Sequence, residues 1–229
     1  MRILITNDDG IYSEGIKILA KKAKKYGEVI IIAPEVEQSA KSHAINIRTA
    51  IPVKKVNIFE GIEAYSVDSS PADCVRFGLY GLKDNFDIVF SGINRGYNLG
   101  EDILYSGTVG AAMEAVLGGK KAIAFSTNPF TFEGSKYFDE VMEYILTNEL
   151  LEKHNLYNIN FPKESKGIRH TVQGMTHFDT RFVVEEEGFY QKGEPHFENE
   201  IGKIESDVAA IEEGYISITP LTTDRTKYF

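Results

Sequence analysis

Arg2-Ile3-Leu4-Ile5-Thr6-Asn7-Asp8-Asp9-Gly10 is a short, unbroken apolar run that ends in two adjacent carboxylates and a glycine. A run without polar alternation is what a strand covered on both faces looks like. The same pattern returns at Val29-Ile30-Ile31-Ile32-Ala33, closed by Pro34, at Asp87-Ile88-Val89-Phe90, which ends in Ser91-Gly92-Ile93-Asn94, and at Ala122 to Ser126. Helical patterns lie between these runs. Ser13 to Tyr26 carries Ile16, Leu19, Ala20 and Ala23 at helical spacing and ends in Lys21, Lys22, Lys24 and Lys25 before Gly27, which suits the helix dipole and a glycine cap. Ser70-Pro71-Ala72-Asp73 reads as a capped helix start, with the helix running to about Leu82. Ser106 opens another helix, stopped by Gly118-Gly119, and Gly134 to Leu150 reads as a further one. The strand-helix alternation over residues 1–150 predicts an α/β fold with a Rossmann-like, doubly wound, mostly parallel sheet.

The stretches near 44–48, 53–58 and 63–68 look like short strands. After Leu156-Tyr157-Asn158-Ile159-Asn160, a further sheet strand, the rhythm changes. Strand-like segments follow at Arg169 to Met175, Phe178 to Glu185, Gly188 to Lys192 and Tyr215 to Thr219, with no long helix between them. Residues 182–190 have the pattern of a hairpin, expected to cover a site or to pair with another subunit. The expected organisation is one domain over 1–229, with a Rossmann-like core at 1–160 and a hairpin and C-terminal extension at 161–229.

With 229 residues, 42% hydrophobic and 26% charged, the chain has an ordinary globular composition. Its net charge of −9 argues against nucleic-acid polymers and acidic membranes as partners. A small anion remains compatible, because one metal ion or one helix N-terminus reverses the local sign. The single Cys74 excludes an internal disulfide, and no run reaches the ~18 apolar residues of a membrane span. The N-terminus leads directly into a strand without a basic leader, so a cytoplasmic location is expected.

Three loops are placed at the carboxyl ends of three strands, where open α/β sheets bind ligands. They carry Asn7-Asp8-Asp9-Gly10, then Glu35 to His43, then Ser91 to Asp102. Adjacent carboxylates repel unless a cation or shared proton relieves them. Asp, Ser and Asn oxygens converging from separate loops suit Mg²⁺ or Mn²⁺, whereas a carboxylate can also serve simply as a helix cap. Glycines at 92, 96 and 100 allow close backbone approach but do not match a dinucleotide fingerprint. Ser106-Gly107-Thr108 at a helix start forms either a phosphate cradle or an ordinary cap. His43 is a candidate for contacting substrate or protonating a leaving group. Arg95 is a candidate anion contact, Lys41 reads as solvated, and Cys74 reads as a small core residue. His154, His170, His177 and His196 show no ligand spacing, and Glu114 is left without a role.

MRILITNDDGI (residues 1–11), SGINRGYNLGEDILYSGTVGAAMEA (91–115), NINFP (158–162) and SDVAAIEEGYISITPL (206–221) together resemble the SurE family of survival-protein nucleotidases over nearly the whole chain. The resemblance implies a metal-dependent phosphomonoesterase acting on nucleoside 5′-monophosphates, with 3′-monophosphates and short polyphosphate also used in parts of the family. It places one divalent ion per subunit on Asp8, Asp9, Ser39 and Asn94, with Asp8 or Asp9 also acting on the attacking water. It places substrate on Asn98, Ser106, Gly107 and Thr108. It also implies a homodimer or tetramer in which the C-terminal region reaches a neighbour. The family commonly has Gly-Thr-Pro where this chain has Ser69-Ser70-Pro71, and it often has a longer C-terminal helix, so a dimer is expected over a tetramer. Two rival readings are a phosphatase forming a phospho-aspartate on Asp8 and a Rossmann-like module that binds a nucleotide without turnover.

Overall fold

The computed structural model describes residues 1–226 apart from 84, 179, 187, 194, 197–201 and 204. In chain order its strands and helices are β1 (Arg2–Thr6), α1 (Glu14–Ala23), β2 (Glu28–Pro34), β3 (Val53–Val56), β4 (Glu63–Val67), α2 (Pro71–Arg76), β5 (Ile88–Arg95), α3 (Gly107–Leu117) and β6 (Lys121–Thr127). Next come α4 (Phe138–Thr147), α5 (Leu150–Lys153), β7 (Leu156–Phe161), β8 (Ile168–His170), β9 (His177–Phe178), β10 (Arg181–Glu185), β11 (Gly188–Lys192), β12 (Pro195–His196), α6 (Asp207–Glu212) and β13 (Ile216–Pro220). Among the described residues one nine-stranded sheet runs β3-β4-β2-β1-β5-β6-β7-β13-β8, and β10-β11 form a separate hairpin. Six consecutive strands, β4-β2-β1-β5-β6-β7, pair in parallel, as the apolar runs predict, and the antiparallel pairs β3-β4 and β7-β13 flank them.

The period-2 alternation of the strands divides the interior into two cores. Ile3, Ile5, Ile31, Phe90 and Phe125 point to one face, where Ile16 and Leu19 of α1 and Phe138 and Val141 of α4 cover them. Leu4, Ile30, Ile32, Val89 and Ala124 point to the other face, against Cys74 and Val75 of α2 and Val109 and Ala112 of α3. Helices on both faces make the sheet doubly wound. The chain winds outward from β1 through β2 and then returns to place β5 on the other side of β1. The carboxyl ends of β1 and β5 therefore form the topological switch point, where such sheets leave a crevice for ligand.

β5 continues through Ser91-Gly92-Ile93-Asn94 to Arg95, where the sequence suggested a loop. Its register with β6 shifts there, Ser91 opposing Ala124 and Asn94 opposing Ser126. One extra residue on β5 bends the strand and re-aims Asn94, as β-bulges do. Gly92 makes the bulge feasible: its φ is +130°, and a Cβ on it would lie 2.3 Å from the carbonyl oxygen of Phe125.

Several local expectations are corrected. Residues 44–48 form irregular backbone rather than a strand, because their backbone groups bond at and beside the start of α2: Asn46 N–H donates to Asp73 Oδ2 at 2.8 Å and Ser70 Oγ donates to the Ala44 carbonyl at 2.6 Å. The helix expected over 134–150 begins as a 3₁₀ turn at Glu133–Tyr137 and ends at Thr147. Of Arg169 to Met175, only Arg169 and His170 lie in a strand, within β8. The short α6, with Ser206 as its N-cap, stands where no helix was expected. The second half is more than an appendage to the sheet: β13 inserts between β7 and β8. The side chains of His177 and His196 lie outside the described residues, as does the Phe229 end of the chain.

Candidate functional site

The loop after β1 is folded by its own first residue. Asn7 Nδ2 donates to the Gly10 carbonyl at 3.0 Å and to Ser13 Oγ at 2.8 Å, closing the Asn-Asp-Asp-Gly turn. Gln38 N–H donates to the Asp8 carbonyl at 2.7 Å, which ties the loop after β2 to the first. Asp8 is buried, and its Oδ1 accepts the hydroxyl of Thr108 from the first turn of α3. Gly107 permits this packing, since a Cβ there would lie 2.9 Å from Asp8 Cβ. Ser106 caps α3, its Oγ accepting from Val109 N–H at 3.1 Å. Ser106 is a true cap, and it also lines the crevice.

Asp8, Asp9, Ser39, Asn94, Asn98 and Ser106 line one cavity of about 330 Å³ at the switch point, together with Glu37, Arg95, Tyr97, Asp102 and Tyr105. Three separate loops and one helix start thus converge there. Ser39 is exposed and its hydroxyl donates to Glu37 Oε1 at 2.5 Å. Asn94 Nδ2 donates to the Gly96 carbonyl at 2.7 Å, which leaves its Oδ1 as the acceptor end. Gly107 and Thr108 support the cavity from behind Asp8.

Four carboxylates against one guanidinium make the wall electronegative. Burial pushes the Asp8 carboxyl above its ordinary range, opposed by the Thr108 hydrogen bond. Asp9 is raised to about 6, first by burial and then by the neighbouring Asp8 charge. Asp9 Oδ2 is buried, and no protein group within hydrogen-bonding distance donates to it. Two repelling carboxylates, one orphaned oxygen and a donor set made only of oxygen fit a hard divalent cation.

The Asp9 shift has a sign that can be measured. A raised carboxyl pKa means the folded, metal-free protein binds protons more tightly than the unfolded chain. The contribution is fully present below the unfolded pKa of 3.8 and is lost as pH rises through about 6. Urea unfolding of chelated protein is expected to show stability falling by about 1–2 kcal/mol between pH 5 and pH 7.5, the shift being discounted for the solvent at Asp9's open edge. The fall should be smaller in Asp9→Asn, where of the pair only buried Asp8 remains raised, and an equal fall in that variant would assign it to other groups.

Asn98 is held by residues whose role the sequence did not reveal. Its N–H donates to Asn160 Oδ1 at 2.9 Å, its carbonyl accepts from Asn158 Nδ2 at 2.8 Å and Asn160 Nδ2 at 3.0 Å, and its Nδ2 donates to Ser126 Oγ at 2.7 Å. Two asparagines at alternate positions of an otherwise apolar strand were the available signal. Asp207 adds a second anchor, its Oδ2 accepting from Gly100 N–H at 3.1 Å.

His43 stands apart from the cavity-lining residues. Its Nε2 lies 2.6 Å from Oε2 of buried Glu114, whose Oε1 accepts from Arg76 Nη1 at 2.7 Å. Burial pushes Glu114 up, but the bonds to His43 and Arg76 outweigh it and hold the carboxyl below its ordinary value. Next to His43, Ser42 N–H donates to the Tyr105 carbonyl at 2.9 Å and Ser42 Oγ to the Leu104 carbonyl at 2.7 Å. Ala40 and Ser42 adopt φ of 55° and 53°, a costly conformation for residues with a Cβ, and these bonds secure it. The Ser39 loop is thereby clamped to α3 and the turn before it.

Known proteins resemble this chain in sequence and fold. The family model described as Survival protein SurE matches residues 3–180. The 5′-nucleotidase SurE of Thermoanaerobacter sp. (strain X514) is 38% identical over 242 residues, covering 100% of this chain and 94% of its own. That of Petrotoga mobilis is 39% identical over 245 residues, covering 100% and 95%. The crystal structure of the SurE protein from Aquifex aeolicus superposes with a TM-score of 0.84 at 32% identity, over 100% of this chain and 96% of that one. This chain belongs to the SurE survival-protein family.

Proposed function

We propose that the protein is a metal-dependent phosphomonoesterase that releases phosphate from nucleoside 5′-monophosphates. The observation that carries this reading is the Asp8-Asp9 pair, with its orphaned oxygen, facing Ser106 and the start of α3 across one cavity. The relatives' printed activity, 5′-nucleotidase, agrees with it.

One Mg²⁺ or Mn²⁺ per subunit would be held by Asp8, Asp9, Ser39 and Asn94. Such an ion supplies Lewis acidity toward phosphoryl oxygens and acidifies water. The protein's own groups do the rest. The Ser106 hydroxyl at the start of α3 receives a phosphoryl oxygen, with the helix dipole favouring negative charge. Asn98 is locked in place to hydrogen-bond the phosphoryl group or the ribose. Thr108 fixes the Asp8 rotamer, and Asp9, open on one side, orients the attacking water. His43 acts on the site only through the loop it anchors.

The β10-β11 hairpin exposes Phe182, Val184 and Phe189 at 65%, 70% and 73%. An apolar ribbon of this kind fits a homodimer contact. A cytoplasmic location is part of the same reading, with Cys74 buried as a free thiol that burial pushes well above the ordinary range.

Phosphate release from AMP, GMP and 3′-AMP with Mn²⁺ or Mg²⁺ tests the proposal. Release from 5′-monophosphates, abolished by chelator and restored by added ion, is expected. No metal-dependent release from any nucleotide at high protein concentration would leave a nucleotide-binding module. A stable phosphoryl-analogue adduct on Asp8 would replace the water mechanism with a covalent one.

A further inference from the structure

The metal-side cavity adjoins a larger one. That space, about 770 Å³, extends from the 3₁₀ turn at Gly100–Leu104 past Thr176 to Gln191 and Lys192 of the hairpin. Its size lies within the roughly 300–1,000 Å³ of small-molecule sites. The two cavities share Ala40, Asp102 and Tyr105. A phosphomonoester bound with its phosphoryl group by Ser106 has to place its organic part in the larger space. The bridging ester oxygen then lies at the junction, beside the three shared residues. Only Asp102 and Tyr105 among these carry an ionisable proton.

Asp102 is held in place by the turn around it. Its N–H donates to the Leu99 carbonyl and its carbonyl accepts from Tyr105 N–H, both at 3.0 Å, so the 3₁₀ turn fixes its backbone. Its half-buried carboxyl receives, among the described residues, a single long 3.4 Å contact from Thr176 Oγ1. Burial, reinforced by Glu101, pushes that carboxyl above its ordinary range against the Thr176 bond. A partly desolvated carboxylic acid beside a scissile bond is the arrangement a general acid needs.

We propose that Asp102 is the general acid that protonates the ester oxygen of the departing nucleoside. The proposal rests on the phosphomonoesterase reading above. As the P–O5′ bond breaks, the Asp102 carboxyl gives its proton to O5′ and the nucleoside leaves as a neutral alcohol. The water oxygen forms the new P–O bond. One of the water's protons stays on the phosphate, the other departs through Asp9 to solvent, and Asp102 regains a proton from solvent.

The test compares leaving groups. An alcohol leaving from AMP requires protonation, whereas p-nitrophenolate leaves unaided. Asp102→Asn should lose about 100-fold or more in kcat on AMP, and its loss on p-nitrophenyl phosphate should be at least tenfold smaller. Across phenyl phosphates of graded leaving-group acidity, the variant's rate should fall more steeply than the wild type's. Equal losses on every substrate, or no loss on AMP, would overturn the proposal. So would a selective loss in Tyr105→Phe, which would make the phenol the donor. If the wild type cleaves aryl phosphates but no nucleotide, the nucleotide reading fails, while the steeper dependence on leaving group still decides the role of Asp102.

Discussion

Asp9→Asn is expected to abolish phosphate release, by on the order of 10³-fold or about 4 kcal/mol of transition-state stabilisation, while the protein stays folded. Asp8→Asn should do the same. The magnitude follows from what the pair supplies: the only charged members of the proposed ligand set, and the group that orients the water. An amide retains the size and one acceptor of a carboxylate, so Thr108 keeps a partner in Asp8→Asn. Asp9→Asn also removes both the cost of burying a charge and the repulsion from Asp8, which together raise Asp9 to about 6. Loss of turnover should therefore come with unchanged or higher stability of the chelated protein at pH 7.5. Steady-state phosphate release, binding of Mn²⁺ by calorimetry and chelated melting curves check it together. Activity within tenfold of wild type in either variant would remove the pair from the mechanism.

Gly92→Ala should cause a large loss of stability. The new Cβ meets a backbone carbonyl at 2.3 Å, which no side-chain rotation can relieve, and the φ of +130° is one that residues with a Cβ rarely adopt. Overpacking and backbone strain together predict a cost of about 3–5 kcal/mol, or roughly 10 °C in Tm for a chain of this size. Because the bulge that Gly92 allows also aims Asn94, the folded fraction should bind Mn²⁺ more weakly. A variant with wild-type Tm and wild-type Mn²⁺ affinity would show that β5 can take another path.

The central sheet was legible because its strands are covered on both faces, and such burial leaves apolar runs that no loop mimics. The start of α3 was legible because Ser106 caps it with its own side chain, a local event. What escaped reading depends on partners distant in the chain. The bulge at Ser91–Asn94 looks like a glycine loop until Phe125 of β6 is set beside it. His43 reads as a solvated loop residue or a substrate contact, since nothing near it in sequence announces Glu114. Asn158 and Asn160 look like polar interruptions of a strand, because the Asn98 backbone they hold arrives from another loop. The insertion of β13 between β7 and β8 leaves no local trace.

The clamp between the Ser39 loop and α3 carries a consequence for how the site fails. Ser39 and Ser106 approach the cavity from different parts of the chain, yet both are secured to one short helix and the turn that leads into it. Any fluctuation that lifts this helix from the sheet dismantles cation binding and phosphate binding in the same event. On heating, the two capacities should vanish along a single curve, with no state that grips one ligand and has let go of the other.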